Sequence, residues 1–210
     1  MQHHDRYLDA KESLLDQIED EINAAMEDMV ESTLMKLEDI DIDDESAREA
    51  ALVPLNDTLQ SVIGQTLFMR QRELSELATR FYPGSMAPMQ TPADFLDQIK
   101  IRGVTLTDLF RRRSPSRFMA DILKASPAEL VHSVRSAIQH AVWSSAAMAE
   151  EFSWESSSLL MWITRPELSA TGTCSECSPL NGRKEKRRKD FGVPYPLHPR
   201  CKCGIVPVAS

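Results

Sequence analysis

Apolar residues recur every three or four positions along two long stretches of the chain, which is the period of a helix with one buried face. In the first stretch, residues 3–37, the stripe is Tyr7, Leu8, Leu14, Leu15, Ile18, Ile22, Ala25, Met26, Met29, Val30, Leu34 and Leu37. Acidic residues lie between them, and neither Gly nor Pro interrupts the run. The second stretch, 45–81, carries Leu52, Leu55, Leu59, Val62, Ile63, Leu67, Phe68, Leu74 and Leu77. Pro54 either lies in its first turn or kinks it, and Gly64 weakens it locally. Two such helices in succession bury both stripes most economically as an antiparallel hairpin. The first is too long for a small domain to cover at every turn. Pairing with another helix or subunit, including self-association through helices 3–37 and 45–81, is therefore expected.

The link between them, Asp39-Ile-Asp-Ile-Asp-Asp-Glu45, invites a calcium reading that fails. With Asp39 at position 1 of the loop, the glycine needed at position 6 is Asp44, and the glutamate needed at position 12 is Ala50. The link reads instead as a polar connector whose acids suit the positive start of the next helix. Tyr82 to Pro92 holds three prolines and a glycine, and is the best domain boundary. Thr91-Pro92 caps a short predicted helix over 92–100, and further short helices are predicted over 105–112 and 115–124. Arg111, Arg112 and Arg113 fall between those two, where three cations at a helix end answer its dipole without any nucleic acid. Ser126-Pro127-Ala128-Glu129 has Ser at the N-cap, Pro at the first helical position and Glu at the third. It starts a helix running to about Glu151, with Leu130, Val134, Ile138, Ala141, Val142 and Ala146 inward. His132 and His140 lie too far apart on that helix to bind one metal, and read as ordinary surface or half-buried histidines.

The period then changes. Ser158-Leu-Leu-Met-Trp-Ile-Thr164 reads as a strand, and Cys201-Lys-Cys-Gly-Ile-Val-Pro-Val208 as its partner. The fold class expected is thus mainly α: an N-terminal long helical hairpin, a helical middle and a small C-terminal β-hairpin pinned by a Cys/His zinc site. The segments expected are an acidic hairpin or arm over 1–82, a helical region over 83–157 and a zinc-binding tail over 158–210.

Composition agrees with helix. Aromatic content is 6% and the 210 residues include 7 glycines, lean for a strand-rich sandwich, while 42% hydrophobic residues suffice for a core. No apolar run reaches membrane-spanning length, and none follows the polar N-terminus, so neither a transmembrane helix nor a signal peptide is expected. A reducing compartment follows for the thiols. The net charge of −8 conceals an asymmetry: residues 1–50 carry 17 acids against 4 Lys/Arg, and residues 182–203 carry 8 Lys/Arg against 2 acids. Arg183, Lys184, Lys186, Arg187, Arg188 and Lys189 form a run that could meet nucleic acid or an acidic partner, or simply be solvated.

All four cysteines lie near the C-terminus: Cys174-x-x-Cys177, then His198-x-x-Cys201-x-Cys203. Paired short spacings let one turn offer two ligands to a tetrahedral Zn²⁺. Cys174, Cys177, His198 and Cys201 form one ligand set, with Cys203 left over; four cysteines with His198 behind them form the other. Two disulfides are the competing use, although Cys-x-Cys matches Cys-x-x-Cys awkwardly. The zinc would be structural, since no Asp or Glu stands beside a ligand as a base would. No phosphate-binding loop, Gly-x-Ser-x-Gly elbow or His-Glu-x-x-His is present, and the chain is read as a non-enzyme.

These motifs have a resemblance. Trp162-Ile163, Cys174-Ser-Glu-Cys-Ser-Pro-Leu-Asn-Gly182, Pro196-Leu-His-Pro-Arg-Cys-Lys-Cys203 and Ile205-Val-Pro207 together resemble the tail of the phage Mu F-like minor head proteins, the head-morphogenesis proteins of tailed phages and prophages. The resemblance covers roughly the second half of the chain, including the helical region before the strand; the acidic N-terminal hairpin has no match in it. It departs from the family at Ser169-Ala-Thr-Gly-Thr173, where a charged residue and a small turn are usual, and in the basic loop after Gly182. It implies a low-copy structural component of the virion that docks at the portal or inner capsid, with a possible role in DNA packaging or ejection, inside the head and in the host cytoplasm during assembly. Its partners would be the portal protein and capsid or scaffold proteins, with DNA as a possible partner of the basic loop and no membrane.

Overall fold

The computed structural model describes residues 2–82, 97, 99–101, 104–110, 117–154, 157, 159–165, 175–193, 195 and 203–208. Helices α1 (Gln2–Glu38) and α2 (Glu45–Phe81) reproduce the two apolar stripes. Leu15, Ile18, Ile22 and Met26 of α1, and Leu52, Leu55, Leu59, Ile63 and Leu67 of α2, are all but completely buried within the single chain. Further along the α1 stripe Met29, Val30 and Leu34 are half-buried and Ala25 is exposed, and among the described residues the large apolar side chains left exposed are Met35, Ile42 and Met69. The acidic link works as a cap, with Asp44 Oδ1 accepting the Ala47 N–H at 3.0 Å. Pro54 lies inside α2 rather than in its first turn, on an exposed position of the helix.

The chain forms two compact units. One gathers residues 1–17, 70–89 and 143–210; the other gathers 18–69 and 90–142. Segments distant in sequence make each core, a grouping that helical periodicity does not encode.

The second unit holds β1 (Lys100–Ile101), β2 (Val104–Thr105), α3 (Leu106–Phe110), α4 (Arg117–Leu123) and the start of α5 (Pro127–Ser153). The β1–β2 pair, with Lys100 opposite Thr105, stands where the predicted 92–100 helix should end. β-Branched residues flanking Gly103 were the overlooked signal. Most of that predicted helix, and Arg111, Arg112 and Arg113, lie outside the described residues. Polar residues of α2 close the short helices: Arg48 donates to the carbonyls of Leu123 at 2.6 Å and Ala125 at 2.8 Å, and Asn56 donates to the carbonyl of Phe110 at 2.9 Å. Carbonyls at a helix end have no partner within the helix, so such donors stabilise the end while remaining buried themselves. The capping box of α5 forms as predicted, with Ser126 N–H donating to Glu129 Oε2 at 2.8 Å and Glu129 N–H to Ser126 Oγ at 3.4 Å.

The first unit joins the start of α1, the end of α2 and the end of α5 to a small antiparallel sheet. His3 bonds the Phe81 carbonyl at 2.7 Å and His4 the Tyr82 hydroxyl at 2.5 Å, which fixes α1 antiparallel to α2. Tyr7, Tyr82 and Trp154 meet edge to face. The sheet order is β4–β3–β5, with β3 Leu160–Ile163, β4 Lys184–Glu185 and β5 Gly204–Pro207. The predicted pairing of β3 with β5 is present, Trp162 opposite Ile205 and Ile163 opposite Gly204. A third strand, β4, comes from the basic run that composition had marked as loop.

Gly204 marks where α1 meets this sheet: a Cβ there would run into Leu8, itself 4% exposed. Gly204→Ala should therefore lower stability by about 1–3 kcal/mol through overpacking, read as a drop in Tm, with Leu8→Ala in the same chain recovering part of it. An unchanged Tm would mean that Leu8 moves aside freely.

Candidate functional site

The turn bearing Cys177 is nailed to β3 residue by residue. Cys177 O accepts the Leu180 N–H at 3.0 Å, closing a 3₁₀ turn over Ser178–Leu180 that has a proline in it. Leu180 is buried, and Asn181 Oδ1 takes the Thr164 N–H at 3.1 Å. Gly182 adopts φ 78°, a left-handed conformation that favours glycine, and its N–H reaches Trp162 O at 2.8 Å. Trp162 N–H in turn donates to Arg183 O at 3.0 Å. Ser-Pro-Leu-Asn-Gly is thus a docking turn, and it delivers Cys177 into the same buried cluster as Cys203, Trp162, Phe191 and Ile205.

Of the five candidate ligands, the described residues include Cys177 and Cys203, both buried in that cluster. Cys174, His198 and Cys201 lie outside the described residues, and among those described no group of three His, Cys, Asp or Glu could hold a metal. The surroundings still bear on the fit of a thiolate-bound metal. Among the described residues, Trp162 Nε1–H and Arg188 Nε–H are buried with no hydrogen-bond acceptor. Native proteins leave few such donors, and a sulfur-rich anionic group is a chemistry that answers them.

The basic run divides. Arg188 is not part of a solvent-facing strip: it is 8% exposed, and its guanidinium reaches Ala147 O at 2.6 Å and Glu150 Oε2 at 3.0 Å. Its burial sets it apart from the other five cations of the run, and it has a geometric reason. A 3₁₀ helix over Arg188–Phe191 turns Phe191 and Arg188 inward together. Arg187 makes a bidentate pair with Asp190, both contacts 3.1 Å, which holds that carboxyl below its ordinary range. Arg183 pairs with Glu185 and donates to the carbonyls of Phe191 and Asp190, each at 3.0 Å. Lys184, Lys186 and Lys189 are exposed.

Behind Arg188 lies a buried constellation that the sequence reading missed. Glu150, on α5, is 1% exposed. Its Oε1 accepts from Lys11 Nζ at 2.8 Å and from Tyr7 OH at 2.5 Å, and its Oε2 accepts from Arg188. Lys11 Nζ also donates to Tyr195 OH at 2.7 Å, and Tyr195 OH donates onward to Cys203 O at 3.4 Å. Arg188 stacks over the Tyr195 ring, 4.7 Å from its centroid. Burial alone would push the Glu150 carboxyl up, but the two cations reverse this and hold it below its ordinary range. Burial likewise pushes the Lys11 ammonium down, and Glu150 more than restores it, leaving it raised. Burial and then Glu150 drive Tyr7 well up and Tyr195 up to about 12, so both phenols stay neutral. The signal for this cluster was present in the sequence. Lys11 continues the Tyr7–Leu15 row of α1 and Glu150 the Val142–Ala146 row of α5, each a charge on an apolar face.

No family model matches the chain, and no curated protein or solved structure matches it. Among the described residues, no helix is long and apolar enough to cross a membrane.

Glu150→Gln should cost about 3–5 kcal/mol, because it leaves two buried cations without their carboxylate. The sign with pH follows from the lowered Glu150 value. Its contribution is full above the unfolded carboxyl range, ~4.3, and is lost as pH falls through the lower folded value. The raised Lys11 contributes fully below its unfolded range and is lost only in strong alkali. The gap in Tm between the native chain and Glu150→Gln should be wide at neutral pH and close in acid. A gap that stays constant down to about pH 3 would contradict the assignment.

Proposed function

We propose that this protein is a structural minor head protein of a tailed phage or prophage, of the head-morphogenesis type, and that it performs no catalysis. It docks at the portal or inner capsid, and its cysteine-bearing tail is a rigid knob pinned by structural zinc. The observation that carries the reading is the pairing of β3 with β5 and the seating of Cys177 and Cys203 in one buried cluster. Among the sequence elements of the resemblance, Trp162-Ile163 lies on β3, Ile205-Val-Pro207 on β5, and Cys177 with Leu180-Asn-Gly182 in the turn bonded to β3. In this reading Cys177 and Cys203, with two of Cys174, His198 and Cys201, hold the metal. Bound zinc would supply a cross-link between the two ends of a sheet too small to be stable by itself.

The portal-facing surface belongs to the helices, and the exposed lysines Lys184, Lys186 and Lys189 face DNA or an acidic protein surface. In the alternative reading, a zinc-binding nucleic-acid module, the same lysines are the primary function. With Arg188 buried, and Arg183 and Arg187 paired within the loop, few cations are left unengaged to track phosphates, which favours the assembly reading.

The test is co-expression with a tailed-phage portal protein, followed by co-purification at low salt and mass spectrometry of purified virions. Co-purification and virion incorporation are the expected results; absence from both would refute the proposal. For the tail, native mass spectrometry should find one zinc per chain, removed by a strong chelator together with the protease resistance of the tail. A metal-free mass lower by about four hydrogens would mean two disulfides instead of zinc.

A further inference from the structure

The side of α1 turned away from its core stripe carries a straight row of negative charge. Asp20, Ala24, Glu27, Glu31, Met35 and Glu38 are all exposed. At about 100° per residue they fall within a sector of roughly 80° around the helix, and they extend along about 27 Å of it. Lys36, the basic residue of this stretch, falls off the row. Ile18, Ile22 and Met26 of the same turns are buried to within 1%, so the helix cannot roll to hide the row. Met35 stands on it 57% exposed, and the face therefore offers apolar contact as well as charge.

Such a row limits what can cover it. Two α1 helices meeting along it, parallel or antiparallel, would set carboxylate against carboxylate, and like charges brought together at an interface are costly. The face takes a cationic surface, and this chain carries one. Lys184, Lys186 and Lys189 are exposed on a frame that is already fixed. Lys184 lies on β4, paired with Met161 of β3, and the turn that follows is anchored by the buried Arg188 and Phe191. Both patches are thus held in shape before they meet, which lowers the entropy lost on association.

We propose that this protein associates head to tail, the 20–38 face of α1 in one copy receiving the 184–189 turn of a second copy. The proposal rests on the reading that the lysines face an acidic protein surface, and identifies that surface; it needs neither the zinc nor the portal. Because the two patches differ, the contact is heterologous, and repetition gives a ring or an open chain of copies.

Sedimentation velocity of the full chain tests it. At low salt the sedimentation coefficient should rise with protein concentration, and the rise should vanish in ~1 M NaCl, where the screening length falls to about 3 Å. Glu27→Lys/Glu31→Lys and, separately, Lys184→Glu/Lys186→Glu/Lys189→Glu should each weaken association at least about tenfold. All five positions are exposed, so the circular dichroism and Tm of both variants should stay native. The deciding sample is their mixture. Each variant alone has like charges on its two patches, yet each supplies the complement of the other, and both stay net acidic from a starting charge of −8. An equimolar mixture should therefore associate where neither variant does alone. A native chain that stays monomeric at low salt overturns the proposal; capture of a lysine-rich peptide by that monomer would assign the face to a foreign basic partner instead. Association unchanged by the reversals overturns it too, as does a mixture no better than its components. A monomer that still co-purifies with a portal protein would remove this proposal alone, and self-association without portal binding would remove the assembly reading alone.

Discussion

Glu150 is the constraint on which the C-terminal part of this protein depends. A carboxylate with 1% exposure can exist in a core only if cations come to it, and they come from residues 11 and 188. Each partner fixes a different piece of chain. Lys11 and Tyr7 fix the first turns of α1, and Arg188 fixes the 3₁₀ turn that follows β4. Tyr195 carries the network on to the carbonyl of Cys203. The small sheet is therefore not a self-sufficient appendage. It has α1 packed against it closely enough to require glycine at 204, and an ion cluster anchoring the turn beyond its edge strand.

That anchoring changes the meaning of the basic run. By composition Arg183 to Lys189 is one patch of positive charge. In three dimensions it is a strand, a turn with internal ion pairs and one buried guanidinium. Such a segment presents lysines on a fixed frame. A flexible arm binding polyanion would have no reason to hold Arg187 on Asp190 or Arg183 on carbonyl oxygens. The other unit follows the same economy, with Arg48 and Asn56 of α2 closing the ends of the short helices α4 and α3. In both, long-range polar contacts from long helices organise short elements whose local propensity is weak.

Much of this was legible in the sequence because the signals were local. The bounds of α1 and α2, the capping box of α5 and the pairing of β3 with β5 each depend on periodicity or on caps within a few residues. The cysteine turn was also legible, since Pro179, Asn181 and Gly182 each have one conformational role there. The β1–β2 hairpin and β4 were not, because strands of two residues lack a period to detect. The clustering of residues 1–17 with 143–210 was not legible either, because no local pattern records which segments share a core.

The sequence by itself determined a mainly helical chain with a small C-terminal sheet, and it determined where the thiols are, because side-chain period and ligand spacing are properties of neighbouring residues. Only the tertiary structure decided which buried charges meet, and that Arg188 is among them. Lys11 stands among acids, Glu150 beside Glu151 and Arg188 beside Arg187, and composition treats each like its neighbour. One leaves water and the other does not, because the ion pair that compensates burial is made between residues 139 positions apart.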